Sequence, residues 1–228
     1  MPGSDKPVSI ALFPSEGQVF AHVANSTARR EAEDERGRHE RIDHALAEVS
    51  AHFVTAPDPD LDEAVAILGR AVDVSRSYLF RLRDRGRKLD NTHEWCAPGV
   101  EPQISSLQDL DADLFPWWME RLRKREVIRI DKLSELDPEA STEREILEAQ
   151  GIQSALVVRV VTRSGGLEGF LGFDDTERTR RWKTEDIRAL KVVAEIIGTE
   201  LERRRATDAL RQSEERFREL AENIPQVF

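Results

Sequence analysis

The sequence predicts an α+β fold, in which a mainly antiparallel sheet is covered on one face by N-terminal and C-terminal helices. Two pairs of apolar runs are each joined by a tight turn, at Asp84-Arg85-Gly86 and at Ser164-Gly165-Gly166. One amphipathic helical pattern precedes these strands and another follows them. At 228 residues, the chain has room for one complete domain with flanking elements.

Composition and charge limit the possible functions. The charged fraction is 34% and the apolar fraction 39%, which is typical of a folded domain with long solvated helices. The net charge of -10 argues against a nucleic-acid partner, because phosphates bind basic surfaces. Cys96 is the only cysteine, which excludes an internal disulfide and indicates a reducing, cytoplasmic location. No apolar run approaches the ~20 residues of a membrane helix, so we expect no direct membrane contact.

The first 55 residues predict a β-hairpin followed by a long helix. Two short apolar-rich runs, residues 8–13 and 18–24, flank turn-forming residues. The helix is predicted over residues 27–55, and its first half is almost wholly charged. Its second half carries one apolar stripe at spacings of 4, 3 and 4, formed by Ile42, Leu46, Val49 and Phe53. We interpret residues 1–26 as a leader and hairpin, and residues 27–41 as a charged linker helix.

The central part of the chain predicts the sheet and its short helices. Pro57-Asp58-Pro59 ends the long helix, and Asp60 caps a second one. Pro116 begins a short, aromatic-rich helix, and Asp137-Pro138 begins another. Strands are predicted at residues 75–83, 88–97, 127–130, 153–163 and 167–174.

Residues 184–224 predict one long helix with two apolar stripes. The first stripe ends with the domain, so we expect it to pack on the domain's own sheet; it comprises Ile187, Leu190, Ala194, Ile197 and Leu201. The second stripe lies on roughly the opposite face and continues along the helix from Ala189 to Leu220. Its small and polar residues are typical of a marginal coiled coil. We therefore predict a parallel homodimer with an interface that includes Val192, Ile196, Ala206, Leu210 and Phe217.

Residues 42–204 resemble a GAF domain. The resemblance rests on Tyr78-Leu79-Phe80, Glu94-Trp95-Cys96 with Gly99, Phe115-Pro116-Trp117-Trp118, Gly169-Phe170-Leu171-Gly172-Phe173-Asp174, and Arg181-Trp182. It implies a PAS-related fold with terminal helices on one face of the sheet, and short helices and loops over a pocket on the other.

The flanking segments look like parts of a larger bacterial sensor. Residues 205–228 resemble a signalling helix and the beginning of a PAS domain, and the N-terminal hairpin is similar to the exit of a preceding PAS domain. The resemblance implies signal transduction through helices to an absent output domain, such as a histidine kinase or a cyclic-di-GMP enzyme.

The resemblance also implies a small-molecule pocket on the open face of the sheet. The aromatic residues expected to line it are Tyr78, Phe80, Trp95, Trp117, Trp118 and Phe173. The alternative is that these side chains only fill the core, and that the domain is a ligand-free element for dimerisation and relay.

Cofactor and catalytic motifs are missing or incomplete. Cys96 does not match the bilin-attachment position, so neither bilin nor haem is expected. His93 and Cys96 are three apart, which places them on opposite faces of a strand and excludes a shared metal. Only the fragment Phe173-Asp174-Asp175 of the family's cyclic-nucleotide motif remains. A single cysteine cannot support the dithiol cycle of free methionine sulfoxide reductases, so we expect no enzyme activity.

Overall fold

The computed structural model describes residues 8–15 and 18–222. The predicted leader (1–7), two turn residues of the hairpin (16–17) and the end of the predicted PAS segment (223–228) lie outside the described residues. The helices are α1 (Ser26–Thr55), α2 (Leu61–Val72), α3 (Pro116–Arg123), α4 (Ser141–Ala149) and α5 (Thr184–Glu222). The strands are β1 (Val8–Ser15), β2 (Gln18–Asn25), β3 (Arg76–Arg83), β4 (Lys88–Cys96), β5 (Leu110–Asp111), β6 (Ile128–Ile130), β7 (Ser154–Val161) and β8 (Leu167–Asp175).

Six of these strands form one antiparallel sheet in the order β5-β4-β3-β8-β7-β6. Strands β1 and β2 pair separately as an antiparallel hairpin, as predicted. The α+β class and the antiparallel sheet are confirmed. Strand β5 was not predicted, because Leu110 and Asp111 lie in a polar stretch and pair only with Leu89 and Lys88 at the sheet edge.

Helices α1, α2 and α5 cover one face of the sheet and form the larger core with it. In α5, the packing predicted for the first stripe is confirmed, since Leu190, Ala194, Ile197 and Leu201 are buried. Ala189 belongs to the predicted second stripe, but it too is fully buried. The buried face of α5 is therefore wider than one stripe. The next seam residues, Val192, Ile196 and Thr199, are half-buried, and the seam is exposed from Arg203 onwards.

Helices α1 and α5 lie side by side and run in the same direction. Their residue numbers rise together along a series of ion pairs: Lys183 with Glu35 at 2.8 Å, Arg188 with Asp43 at 2.6 Å, and Arg204 with Asp58, just beyond α1, at 2.9 Å. The chain therefore enters the domain at one end of this helix pair and leaves it at the other.

The opposite face of the sheet is covered by α3, α4 and the segments around them. A second core lies here, and it includes Tyr78, Phe80, Trp118, Leu147 and Phe170. Because strand side chains alternate between faces, neighbouring residues of β3 belong to different cores. Leu79 packs with the helix layer, whereas Tyr78 and Phe80 pack beneath α3 and α4.

Candidate functional site

A cavity lies between the sheet and the layer formed by α3 and α4. Side chains from β3, β4, β8, α3 and α4 line it, together with residues that precede α3. The space open to water measures about 60 Å³. One water needs about 10–15 Å³ on this measure, so the cavity has room for about four to six waters or a small molecule.

The walls of the cavity are mainly aromatic. Phe80 stacks on Phe170, with ring centroids 4.7 Å apart, and Tyr78 meets Phe80 edge-on at 5.6 Å. Trp118, from α3, meets Phe170 at 6.2 Å. Phe115 completes this wall. The rings hold one another in place and leave an apolar surface facing the space.

One end of the cavity carries a buried ion pair. Arg76 on β3 and Asp174 on β8 are opposite each other in the register and are 4% and 2% exposed. The Arg76 Nη1 atom lies 3.6 Å from Asp174 Oδ2, and the guanidinium also donates to the side chain and carbonyl of Gln150. Burial raises the pKa of Asp174 to about 7; Arg76 opposes this shift and Glu94 adds to it.

Two further carboxylates line the cavity. Glu94 on β4 accepts hydrogen bonds from the backbone N–H groups of Gln103 and Ile104, at 2.7 and 3.0 Å. Its other oxygen accepts from the Asn91 amide at 3.2 Å. Glu143 on α4 is 1% exposed and accepts from the Trp118 backbone N–H at 3.1 Å.

Several buried polar atoms of cavity-lining residues have no hydrogen-bond partner in the described part of the chain. The acceptors are Asn91 Oδ1, Glu143 Oε2 and Asp174 Oδ1, and the donors are Arg76 Nε and Trp118 Nε1. An unsatisfied buried polar group costs about 1–3 kcal/mol. Such a concentration at one cavity indicates a site that water or a ligand completes.

Three of the predicted aromatic residues meet at this cavity: Tyr78, Phe80 and Trp118. Trp117 does not line it. Its ring lies 4.2 Å from the guanidinium carbon of Arg121, beside a separate groove of α3 and β6.

Trp95 and Phe173 lie on the opposite face of the sheet, which corrects their expected position at one common pocket. The Trp95 ring packs against Gly69 of α2, and Phe173 stacks on Trp182 with centroids 6.1 Å apart. Strand alternation explains both positions, because each is the chain neighbour of a cavity-lining carboxylate, Glu94 or Asp174.

The sequence analysis predicts only aromatic residues for this pocket and does not identify its polar residues. Arg76 is two and four positions before Tyr78 and Phe80 on β3, so strand alternation places all three on the same face of the sheet and could have identified Arg76. Asp174 similarly shares the parity of Phe170 on β8. Glu143 carried no comparable signal, since its position depends on how α4 is rotated against the sheet.

Cys96 ends β4 and is not among the residues that line the cavity. Burial raises the pKa of its thiol to about 12, and the nearby Glu94 carboxylate adds to the shift. The thiol is therefore a weak nucleophile at neutral pH. In the described residues, no cluster of three or more histidine, cysteine, aspartate or glutamate side chains could hold a metal ion.

A six-stranded antiparallel sheet, with long helices on one face and a cavity under short helices on the other, defines the GAF-like class of α+β domains. The chain belongs to the GAF domain family, whose model matches residues 56–201. This match includes α2 and all six strands of the main sheet, and it ends at Leu201, the last residue of the buried stripe of α5.

The methanogenesis regulatory histidine kinase FilI of Methanothrix harundinacea (strain 6Ac) is 32% identical over 204 residues. The match covers 84% of this chain but 22% of that kinase, so the chain spans about a fifth of its relative's length. The chain is thus related to part of a histidine kinase.

Solved structures share the fold at low sequence identity. The phycoerythrobilin-bound GAF domain of a cyanobacterial phytochrome superposes with a TM-score of 0.60 at 16% identity, covering 70% of this chain and 93% of that one. A domain of a two-component sensor histidine kinase protein from Sinorhizobium meliloti 1021 gives 0.52 at 18% identity, covering 69% and 99%. Within the described residues, no helix is both long and apolar enough to cross a membrane.

Proposed function

We propose that this chain is a non-catalytic sensory module of a signal-transduction protein. It binds a small molecule in the cavity beneath α3 and α4 and relays binding through α5 to an output domain. The family and the relationship to a histidine kinase support the sensory role. The observation that carries ligand binding is the set of unpartnered, buried polar atoms around an aromatic-walled space.

The ligand is smaller than a bilin. Pockets for drug-sized ligands have volumes of about 300–1,000 Å³, far above the 60 Å³ open to water here. The Cys96 thiol does not line the cavity and has a pKa of about 12, so it is poorly suited to covalent attachment. The site residues therefore do not fit a linear tetrapyrrole.

A short, tightly bonded segment connects the cavity to α5. Asp175 follows the cavity-lining Asp174 and accepts from the backbone N–H groups of Glu177 and Arg178, both at 3.1 Å. Further along, the Trp182 indole donates to the Ile130 carbonyl at 3.1 Å, and α5 begins two residues later. A ligand that shifts Asp174 would thus also displace this closely hydrogen-bonded segment, which leads directly into α5.

The beginning of α5 is in turn fixed to α1. The two Asp186 oxygens are both engaged: Oδ1 pairs with Arg38 of α1 at 2.5 Å, and Oδ2 accepts from the Lys183 backbone N–H at 2.9 Å. Asp186 is fully buried. Movement of the segment before α5 would therefore also move α1, the helix through which the chain enters the domain.

The partner we propose is a second copy of the chain, paired through α5. Residues 206–219 are exposed throughout, and Leu210 and Phe217 are 61% and 75% exposed. Val192 and Ile196 line a groove that continues this seam on the domain itself. An isolated helix is marginal in water, which supports a coiled-coil partner. Neighbouring PAS domains, a cytoplasmic location, and the absence of nucleic-acid or membrane partners are also parts of this proposal.

The alternative is a ligand-free relay, in which the cavity holds only water and the domain transmits strain between its neighbours. The specific observation in its favour is the small volume of the cavity. An enzyme such as a free methionine sulfoxide reductase ranks last, because Cys96 is the only cysteine of the sequence and its thiol is held protonated.

A metabolite screen by thermal unfolding distinguishes the ligand-binding sensor from the ligand-free relay. A ligand at 100 times its dissociation constant adds about 2.7 kcal/mol to the free energy of unfolding. For a domain of this size, that raises the melting temperature by about 5 to 10 °C. We expect at least one small polar metabolite to produce such a shift. A broad screen without any shift would favour the ligand-free relay.

A further inference from the structure

Carboxylates outnumber cations among the charged groups that line the cavity. The carboxylates of Glu94, Glu143 and Asp174 face it, and Arg76 is the only cation among the lining residues. All but Glu94 are less than a tenth exposed. Buried carboxylates are normally paired with cations or fully hydrogen-bonded, because removing a charge from water is costly.

Each carboxylate is compensated to a different degree. Arg76 lies beside Asp174, and three N–H donors satisfy Glu94. Glu143 receives one hydrogen bond, from the Trp118 backbone, and forms no ion pair in the described part of the chain. Of the three, only Glu143 has neither a cation beside it nor a donor for each of its oxygens.

The aromatic walls favour a bound cation, as the excess of carboxylates does. Trp, Tyr and Phe rings attract a cation within about 6 Å of their centroids, because the ring faces are electronegative. Tyr78, Phe80, Phe115 and Trp118 all line the cavity. An alkyl chain would find apolar contact on these same surfaces.

We propose that the cavity recognises a small organic cation, a primary alkylammonium of about four to six non-hydrogen atoms. This inference rests on the proposed function and specifies its ligand class. Three buried acceptors have no partner, on Asn91, Glu143 and Asp174, and a primary ammonium offers three donors. An anion could meet Arg76 Nε and Trp118 Nε1, but it would lie among three carboxylates.

The test is calorimetric binding of three probes of nearly equal size to the full chain at pH 8, where Asp174, with its pKa of about 7, is ionised. The probes are propylammonium, 1-propanol and propionate. We expect propylammonium to bind at least tenfold more tightly than 1-propanol, and propionate to bind most weakly. Glu143→Gln keeps the shape of the side chain and should lower the affinity for propylammonium at least tenfold. The affinity for 1-propanol should not change.

Glu145→Gln is the matched control, since Glu145 is an exposed residue of the same helix. It should bind all three probes like the original chain. If circular dichroism shows that Glu143→Gln does not fold, Asp174→Asn replaces it with the same expectation.

Two results would overturn the inference while leaving the proposed function intact: tightest binding of propionate, or equal binding of all three probes. Failure of all three to bind would also overturn it. In that case, the metabolite screen decides separately whether the cavity binds any other ligand.

Discussion

Asp174 and Asp175 are chain neighbours with opposite electrostatic surroundings. Burial raises the pKa of Asp174 to about 7, because Arg76 compensates its charge only in part. Burial acts on Asp175 as well, but hydrogen bonds from Arg178 and Glu177 outweigh it and lower the pKa of that carboxyl. Strand alternation separates the two, sending one towards the cavity and the other towards the segment before α5.

The raised pKa of Asp174 predicts a stability that falls with rising pH. Between its ordinary value of 3.8 and about 7, the folded chain holds a proton at Asp174 that the unfolded chain has released. Each pH unit in this window therefore lowers the free energy of unfolding, by up to about 1.4 kcal/mol. Asp174→Asn removes this contribution, whereas the lowered pKa of His93 makes stability rise with pH in both chains. From pH 5 to pH 8, the free energy of unfolding measured in urea should therefore fall further, or rise less, in the original chain than in the variant.

Comparing the two chains isolates the contribution of Asp174, because the other acids contribute equally in both chains. Asp90 and Asp131, for example, have lowered pKa values and stabilise the fold above about pH 4. An identical change between pH 5 and pH 8 in the original chain and in Asp174→Asn would show that the carboxyl is already ionised at pH 5.

At the residue scale, three of the six aromatic residues predicted from the sequence line the cavity. Tyr78 and Phe80 follow from strand alternation, and Trp118 follows from the aromatic helix beside the sheet. Trp95 and Phe173 have the ring type expected of a pocket wall, but strand alternation places each on the face opposite to its cavity-lining neighbour. Glu143 required knowledge of the packing of α4, which periodicity cannot supply.

At the scale of elements, the close approach of α5 to β7 depends on one glycine. A Cβ atom on Gly198 would lie 2.0 Å from the carbonyl oxygen of Val161. The backbone of β7 cannot give way as a flexible side chain can. Sequence analysis finds in Gly198 only a residue that weakens a helix, because the contact is visible only in three dimensions.

We predict that Gly198→Ala destabilises the chain by about 1–3 kcal/mol through overpacking. Gly37→Ala is the matched control, because Gly37 also lies within a helix, and its Cβ would meet only the end of the Arg41 side chain at 3.7 Å. The control should stabilise by about 0.4–1 kcal/mol. Urea unfolding measures both, and a stabilised Gly198→Ala chain would contradict the described packing of α5 on β7.

The bounds of most elements were predictable to within a few residues, because turn residues and caps mark them. Asp60 caps α2 as expected, accepting from the Asp62 backbone N–H at 2.9 Å. Strand β5 was not predictable, since two residues of edge pairing leave no apolar pattern. The parallel course of α1 and α5 also required the structure, as it is seen in contacts between residues about 145 positions apart.

At the scale of the whole molecule, two faces of α5 are expected to serve different purposes. Ile197 is fully buried within the domain, whereas Leu210 is 61% exposed beyond it. The described part of α5 continues for about 30 Å after Leu201. The sequence predicted both stripes, and the structure confirms the packing of the inner one. Dimerisation through the outer one stays a prediction.

We predict that Leu210→Glu shifts the chain from dimer to monomer in multi-angle light scattering without changing the fold, because the new charge would repel its copy across the seam. Ile197→Glu, the comparison variant, should unfold the domain, since it buries an unpaired carboxylate in the core. An unchanged dimer for Leu210→Glu would show that this face of α5 is not the interface.

The central claim is that the cavity beneath α3 and α4 binds the signal molecule. The most direct test compares the melting-temperature shift caused by the best metabolite in three chains: the original, Ile146→Trp and Leu114→Trp. Ile146 lines the cavity, whereas Leu114 is exposed and does not. We predict a shift of about 5 to 10 °C in the original chain and in Leu114→Trp, and none in Ile146→Trp. An equal shift in all three chains would contradict binding in this cavity.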